Sequence, residues 1–104
     1  MSAPVHIRIE AHKVLWKRGG PNHCFYCQEH LSRKKRTLDH LTPCSRGGTD
    51  ELVNLVLACI DCNRAKADMT LFEFNMFVMK HGGIQRVKKL FGKGSHSRRK
   101  MLAL

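Results

Sequence analysis

A chain of 104 residues has room for one domain, and one so small buries only a modest share of its surface, so an added staple is expected. Its 42% hydrophobic content excludes a disordered chain, and no apolar run reaches the length needed to span a bilayer. A formal net charge of +11 and a pI near 10.0 call for a polyanionic partner, with nucleic acid ahead of an anionic membrane because the basic residues do not line one long amphipathic helix.

In chain order, residues 7–18 read as a helix with Ile7, Ala11, Val14 and Leu15 near one face, stopped by Gly19-Gly20-Pro21 and packing over the centre of the domain. HCFYCQEH then forms a tight knuckle around its CxxC. A short strand enters at Thr37-Leu38, TPCSRGGTDE is a loop rich in turn formers, and LVNLVLACI is a buried second strand, so the two strands pair as a hairpin. Asp61 is the expected N-cap of a helix starting at Cys62. Thr70 and Glu73 have the spacing of a capping box for a helix through His81, closed by Gly82-Gly83, with Leu71, Phe72, Phe74, Met76, Phe77, Val78 and Met79 read as core. A short basic helix is expected from Ile84 to Phe91. Residues 92–104 then read as a flexible basic arm that contacts phosphate.

Four of the five cysteines fall in two CxxC pairs, Cys24/Cys27 and Cys59/Cys62, with 31 residues between the pairs. Four thiolates are the donor set of a closed tetrahedral zinc site, so one structural Zn2+ per chain is expected. Such a site leaves no position for water or substrate, and any metal chemistry needs a second ion elsewhere. His23 and His30 are alternative ligands, and Cys44 is left over as a free residue of the loop.

Chemistry is concentrated in LDHLTPCSRGGTDELVNLVLACIDCNRAKAD. Phosphodiester hydrolysis needs a base for water and a hard cation for the charge on phosphate and leaving oxygen. His40 is a base suited to neutral pH, and Asp39 beside it is a hard oxygen ligand. Neighbouring strand residues point to opposite faces, so both can serve one site only at a strand end or distortion. Asn63, at the start of the following helix, can add an amide oxygen.

The order DH at 39–40, P-x-SRGG from Pro43 to Gly48, NL at 54–55 and CxxCN-x-x-K from Cys59 to Lys66 resembles the HNH nuclease family over about residues 24–68. The resemblance implies an α+β fold: a small ββα-metal (HNH, or His-Me finger) domain with zinc-binding CxxC pairs and flanking helices, occupying 1–104 as a single nuclease domain. It also implies that His40 is the general base, that Asn54 orients it by bracing the loop, and that Asp39 and Asn63 hold a catalytic divalent ion. Asn63 stands where many members have His, the form found in the HNH domains of RNA-guided DNA nucleases. An all-oxygen pair suits Mg2+ or Mn2+ better than a nitrogen-rich site would.

The expected activity is that of a metal-dependent DNA endonuclease, a phosphodiester hydrolase acting on double-stranded DNA with weak sequence preference, since no base-reading module flanks the motif. Arg33, Lys34, Lys35 and Arg36 before the first strand, Arg46 in the loop, and Arg64 and Lys66 on the helix are the expected phosphate contacts. The alternatives are a zinc-stabilised nucleic-acid-binding module that never cuts, or a nuclease subunit of a larger phage packaging or restriction machine, with a homodimer as a further state of assembly. The expected location is the cytoplasm of a bacterium or phage-infected host, with no membrane partner.

Overall fold

The computed structural model describes residues 5–17 and 22–93. Within these lie helix α1 (Val5–Leu15), strand β1 (Arg36–His40), strand β2 (Leu55–Cys59), and helices α2 (Ile60–Lys66), α3 (Leu71–Lys80) and α4 (Ile84–Phe91). This is a small α+β fold in which a two-stranded antiparallel hairpin runs directly into α2. The pairing Arg36↔Cys59, Leu38↔Leu57 and His40↔Leu55 sets the open end of β1 against the start of β2. Between the strands, residues 44–46 and 52–54 each make one 3-10 turn, so β2 starts at Leu55 rather than at Leu52.

Two apolar clusters surround the hairpin. Leu31, Leu57 and Ala58 are buried with Cys24, Cys59 and Cys62, and Leu15 and Trp16 pack over them. The expected role of the first helix, covering the cysteine centre, is thereby met, although Val14 faces solvent. Across α2, Ala65, Met69, Phe74, Val87 and Phe91 form the second cluster, and Tyr26 and Ile84 belong to both. Fully burying one such large side chain contributes about 1.5–3 kcal/mol, so a few aromatics suffice to hold α3 and α4 in place.

Local signals explain the helix ends, with one correction. Thr70 and Glu73 make the expected reciprocal capping box of α3, which ends before Gly82 at φ 90°. Helix α2, however, starts at Ile60 with Cys59 as its N-cap, whose Sγ accepts the Cys62 N–H, so Asp61 lies inside the first turn instead of capping it. On α3, Phe74 is buried, while Phe72, Met76 and Met79 are exposed and are not core. The segment 94–104, most of the expected basic arm, and Gly19-Gly20-Pro21 lie outside the described residues. No helix among the described residues is long and apolar enough to cross a membrane.

Candidate active site

The four CxxC cysteines converge, with their Sγ atoms all within 4.8 Å of one another. Cys27 Sγ and Cys59 Sγ are 3.9 Å apart. Four bonds of about 2.3 Å to one tetrahedral zinc would space the sulfurs by about 3.8 Å, so the cluster could hold zinc with little adjustment. Two backbone N–H groups point into it, Tyr26 N–H onto Cys24 Sγ and Cys62 N–H onto Cys59 Sγ, each at 3.4 Å. The knuckle closes at Gln28, whose N–H donates to the Cys24 carbonyl at 2.9 Å and whose φ of 65° turns the chain out of the knuckle. Phe25 N–H donates to the Leu57 carbonyl, tying the knuckle to β2. His23 and His30 face each other across an isolated bridge outside the cluster, so the thiols alone form it.

Without a cation the sulfurs must share protons. The hydrogen bond from Cys62 lowers the Cys24 thiol to about 4 and raises that of Cys62, while burial pushes Cys59 up to about 11. A divalent ion replaces those protons with one charge held in common. Lys88 of α4 adds a contact that sequence pattern did not reveal: its ammonium lies 3.3 Å from Cys27 Sγ and 3.5 Å from Glu29. Burial opposes that charge, but Cys27, Cys59 and Glu29 outweigh it and raise the Lys88 pKa.

On the other side of the hairpin, β1 ends in Asp39 and His40. Their side chains diverge, as strand alternation requires. Asp39 is buried toward α2, where Oδ2 accepts from the Tyr26 hydroxyl and pairs with Lys66 Nζ at 3.1 Å. Burial, reinforced by the Asp39 carboxylate, pushes the Tyr26 phenol far above its usual range, so the hydroxyl remains a donor. Lys66 also donates to the His40 carbonyl at 2.7 Å and is itself 0% exposed. Its expected place on phosphate is thereby corrected: its charge is spent inside the domain, joining α2 to β1.

Asn63, one turn before Lys66, donates its amide N–H groups to Thr37 Oγ1 at 3.0 Å and to the Leu38 carbonyl at 3.2 Å. Its Oδ1 therefore points away from the strand backbone. Tyr26 and Lys66 both sit on Asp39 Oδ2.

His40 faces the loop. Its Nε2 is 2.8 Å from Asp50 Oδ1. A carboxylate only accepts, so Nε2 is the donating nitrogen of this contact, and in the neutral ring that leaves the lone pair on Nδ1. The loop that delivers Asp50 is pinned by Asn54: Oδ1 accepts from Thr42 N–H at 2.9 Å, and Nδ2 donates to the Thr42 and Thr49 carbonyls at 2.9 and 2.7 Å. Glycine is required at both positions of SRGG. Gly47 has φ 91°, and a Cβ on Gly48 would lie 1.7 Å from the Thr42 carbonyl oxygen. Arg46, expected on phosphate, instead makes two 2.9 Å hydrogen bonds to the Glu73 carboxylate and straps the loop to α3. Asp50 was the carboxylate missed in the sequence; its only signal was its place in the turn-rich loop after His40.

Most of the other expected phosphate contacts lie at the surface. Arg33, Lys34 and Lys35 are exposed in the turn before β1, Arg36 lies 4.7 Å from the Trp16 ring, and Arg64 is exposed on α2. No curated protein matches the chain. Residues 24–68, 45 of the 104, match the model of the HNH endonuclease family. The matched stretch takes in the cysteine cluster, the hairpin with its loop, and α2, so the likeness to the HNH family rests on this part of the chain.

Proposed function

We propose that this protein is a metal-dependent DNA endonuclease. The observation that carries the reading is the braced histidine: His40 closes β1 with Nε2 on Asp50, in a loop that Asn54 pins by three hydrogen bonds, within the segment that matches the HNH family. His40 Nδ1 takes a proton from the attacking water, and Asp50 fixes the tautomer that leaves that nitrogen basic. Attack in line on phosphorus expels the 3′ oxygen and leaves a 5′-phosphate and a 3′-hydroxyl. Asp39 and Asn63 would hold a divalent ion, Mg2+ or Mn2+ by their oxygen donors, and that ion would supply stabilisation of the charge on phosphate and leaving oxygen. The four cysteines hold a separate, structural zinc.

The test is nicking of supercoiled DNA with Mg2+ or Mn2+ and an EDTA control. His40→Ala should lower the rate by about 10²–10⁴-fold, the usual worth of a general base, while zinc content and thermal unfolding stay unchanged. Full cleavage by that variant, or none by the wild type with either ion, overturns the reading.

A further inference from the structure

The loop that braces His40 brings a third group to the same place. Cys44, in the 3-10 turn after β1, has its Sγ 3.7 Å from Asp50 Oδ1, the oxygen that His40 Nε2 contacts at 2.8 Å. The three atoms all lie within 4.8 Å of one another and none of the three residues is fully buried. We propose that His40, Cys44 and Asp50 form a second metal site, selective for a thiophilic ion such as Zn2+ and separate from both the four-cysteine centre and the Asp39/Asn63 pair.

Imidazole nitrogen, thiolate and carboxylate are three zinc donors, and three protein ligands with one outward position is the open form of a zinc site. Around a tetrahedral zinc, bonds of about 2.0–2.3 Å set donor atoms about 3.3–3.8 Å apart. The Cys44–Asp50 separation already meets this, and the His40–Asp50 contact has only to open by about half an ångström. The frame that holds the donors is fixed on both sides, by Asn54 on Thr42 and Thr49 and by Arg46 on Glu73. Magnesium, which takes oxygen ligands, has no reason to choose a site with a thiolate in it.

Binding exchanges the Cys44 thiol proton for the metal and releases that proton to solvent. It also requires the lone pair of His40 Nε2, so the ring proton moves to Nδ1. The nitrogen that would accept a proton from water is then protonated, and the histidine cannot act as a base. This inhibitory consequence rests on the nuclease reading; the metal site itself does not.

The test uses the full chain carrying one equivalent of zinc, titrated with Co2+. Zinc outranks cobalt for the same ligands, so Co2+ leaves the four-cysteine site filled and reports on the second site by a near-ultraviolet thiolate-to-cobalt band. One further equivalent should bind with that band. Cys44→Ala and Cys44→Ser, the second keeping the volume, should lose it with the first zinc retained, and Asp50→Asn should weaken it. Absence of the band in the wild type, or an unchanged band in both Cys44 variants, overturns the site whether or not the protein cuts DNA. In Mg2+-supported nicking, excess Zn2+ should suppress the wild type and spare Cys44→Ala. Zinc-insensitive nicking by a wild type that shows the band overturns the inhibitory role.

Discussion

Asp39 and Lys66 form a buried ion pair, with the aspartate side chain 8% and the lysine side chain 0% exposed. Taking one member away leaves the other charge buried without its partner, which costs about 3–5 kcal/mol. Lys66→Met keeps the volume and removes the charge, so urea unfolding of the zinc-loaded protein should register a loss of that order. Adding Asp39→Asn should recover most of it, because Tyr26 can still donate to the amide oxygen. A Lys66→Met variant as stable as the wild type would show that the pair contributes nothing. Residue chemistry made Asp39, His40 and Asn63 legible in the sequence, since few side chains can be a base or an oxygen ligand next to two CxxC pairs. What Lys66 and Asp50 do was not legible. A lysine in the last turn of a short helix reads as a solvent cation until the strand it reaches is known, and Asp50 finds His40 only through a loop whose path ten residues long depends on Asn54 and Gly48.

At the scale of elements, the loop between the strands reaches α3 through an exposed ion pair that spans 27 residues, Arg46 to Glu73, and through the backbone hydrogen bond from Leu71 N–H to the Leu41 carbonyl. Glu73 also accepts from Thr70 N–H as the second half of the capping box. The Arg46 guanidinium, with Thr70 behind it, holds the Glu73 carboxyl down to about 2. A depressed carboxylate stabilises the folded state above its unfolded pKa of about 4.3, and that contribution is lost as the pH falls through about 2. A carbon-detected NMR titration of Glu73 should therefore give a midpoint well below the usual range, moving back up in Arg46→Ala and at high salt. An ordinary midpoint in the wild type would mean that the strap does not form in solution. The box itself was readable because its residues are three apart; the strap was not, because it joins elements distant in sequence. The N-cap of α2 was misread for a related reason. Asp61 has the residue type of a cap, but Cys59 already stands where the chain leaves β2, and its sulfur takes the Cys62 N–H. On α3 the apolar run overstated the core, since the small domain covers Phe74 but not Phe72 or Met79.

At the scale of the whole molecule, the charge of +11 and the cysteine cluster set separate demands. If DNA is the partner, binding should weaken linearly in log affinity against log salt, and replacing Arg33, Lys34 and Lys35 together by Ala should flatten that slope by about 3 if each contacts one phosphate. An unchanged slope would remove the turn before β1 from the interface. The cysteine cluster reaches further, because most elements of the domain other than α3 lean on it. The knuckle supplies Cys24 and Cys27, β2 ends in Cys59, α2 carries Cys62, Leu15 and Trp16 of the N-terminal segment cover it, and α4 sends Lys88 to Cys27. Releasing a metal from this centre would leave four crowded sulfurs to share protons, with Cys59 and Cys62 held up as thiols and Cys24 down. The loss then falls on the hairpin and α2 together, so both the histidine loop and the Asp39/Asn63 pair lose their frame. The purified protein should contain one zinc per chain by elemental analysis, and a strong chelator should abolish the cooperative thermal transition rather than shift it slightly. Acid should have the same effect as chelator, since protons compete for the thiolates. A chelated protein that keeps the wild-type transition would show that packing alone holds the two strands and α2 together.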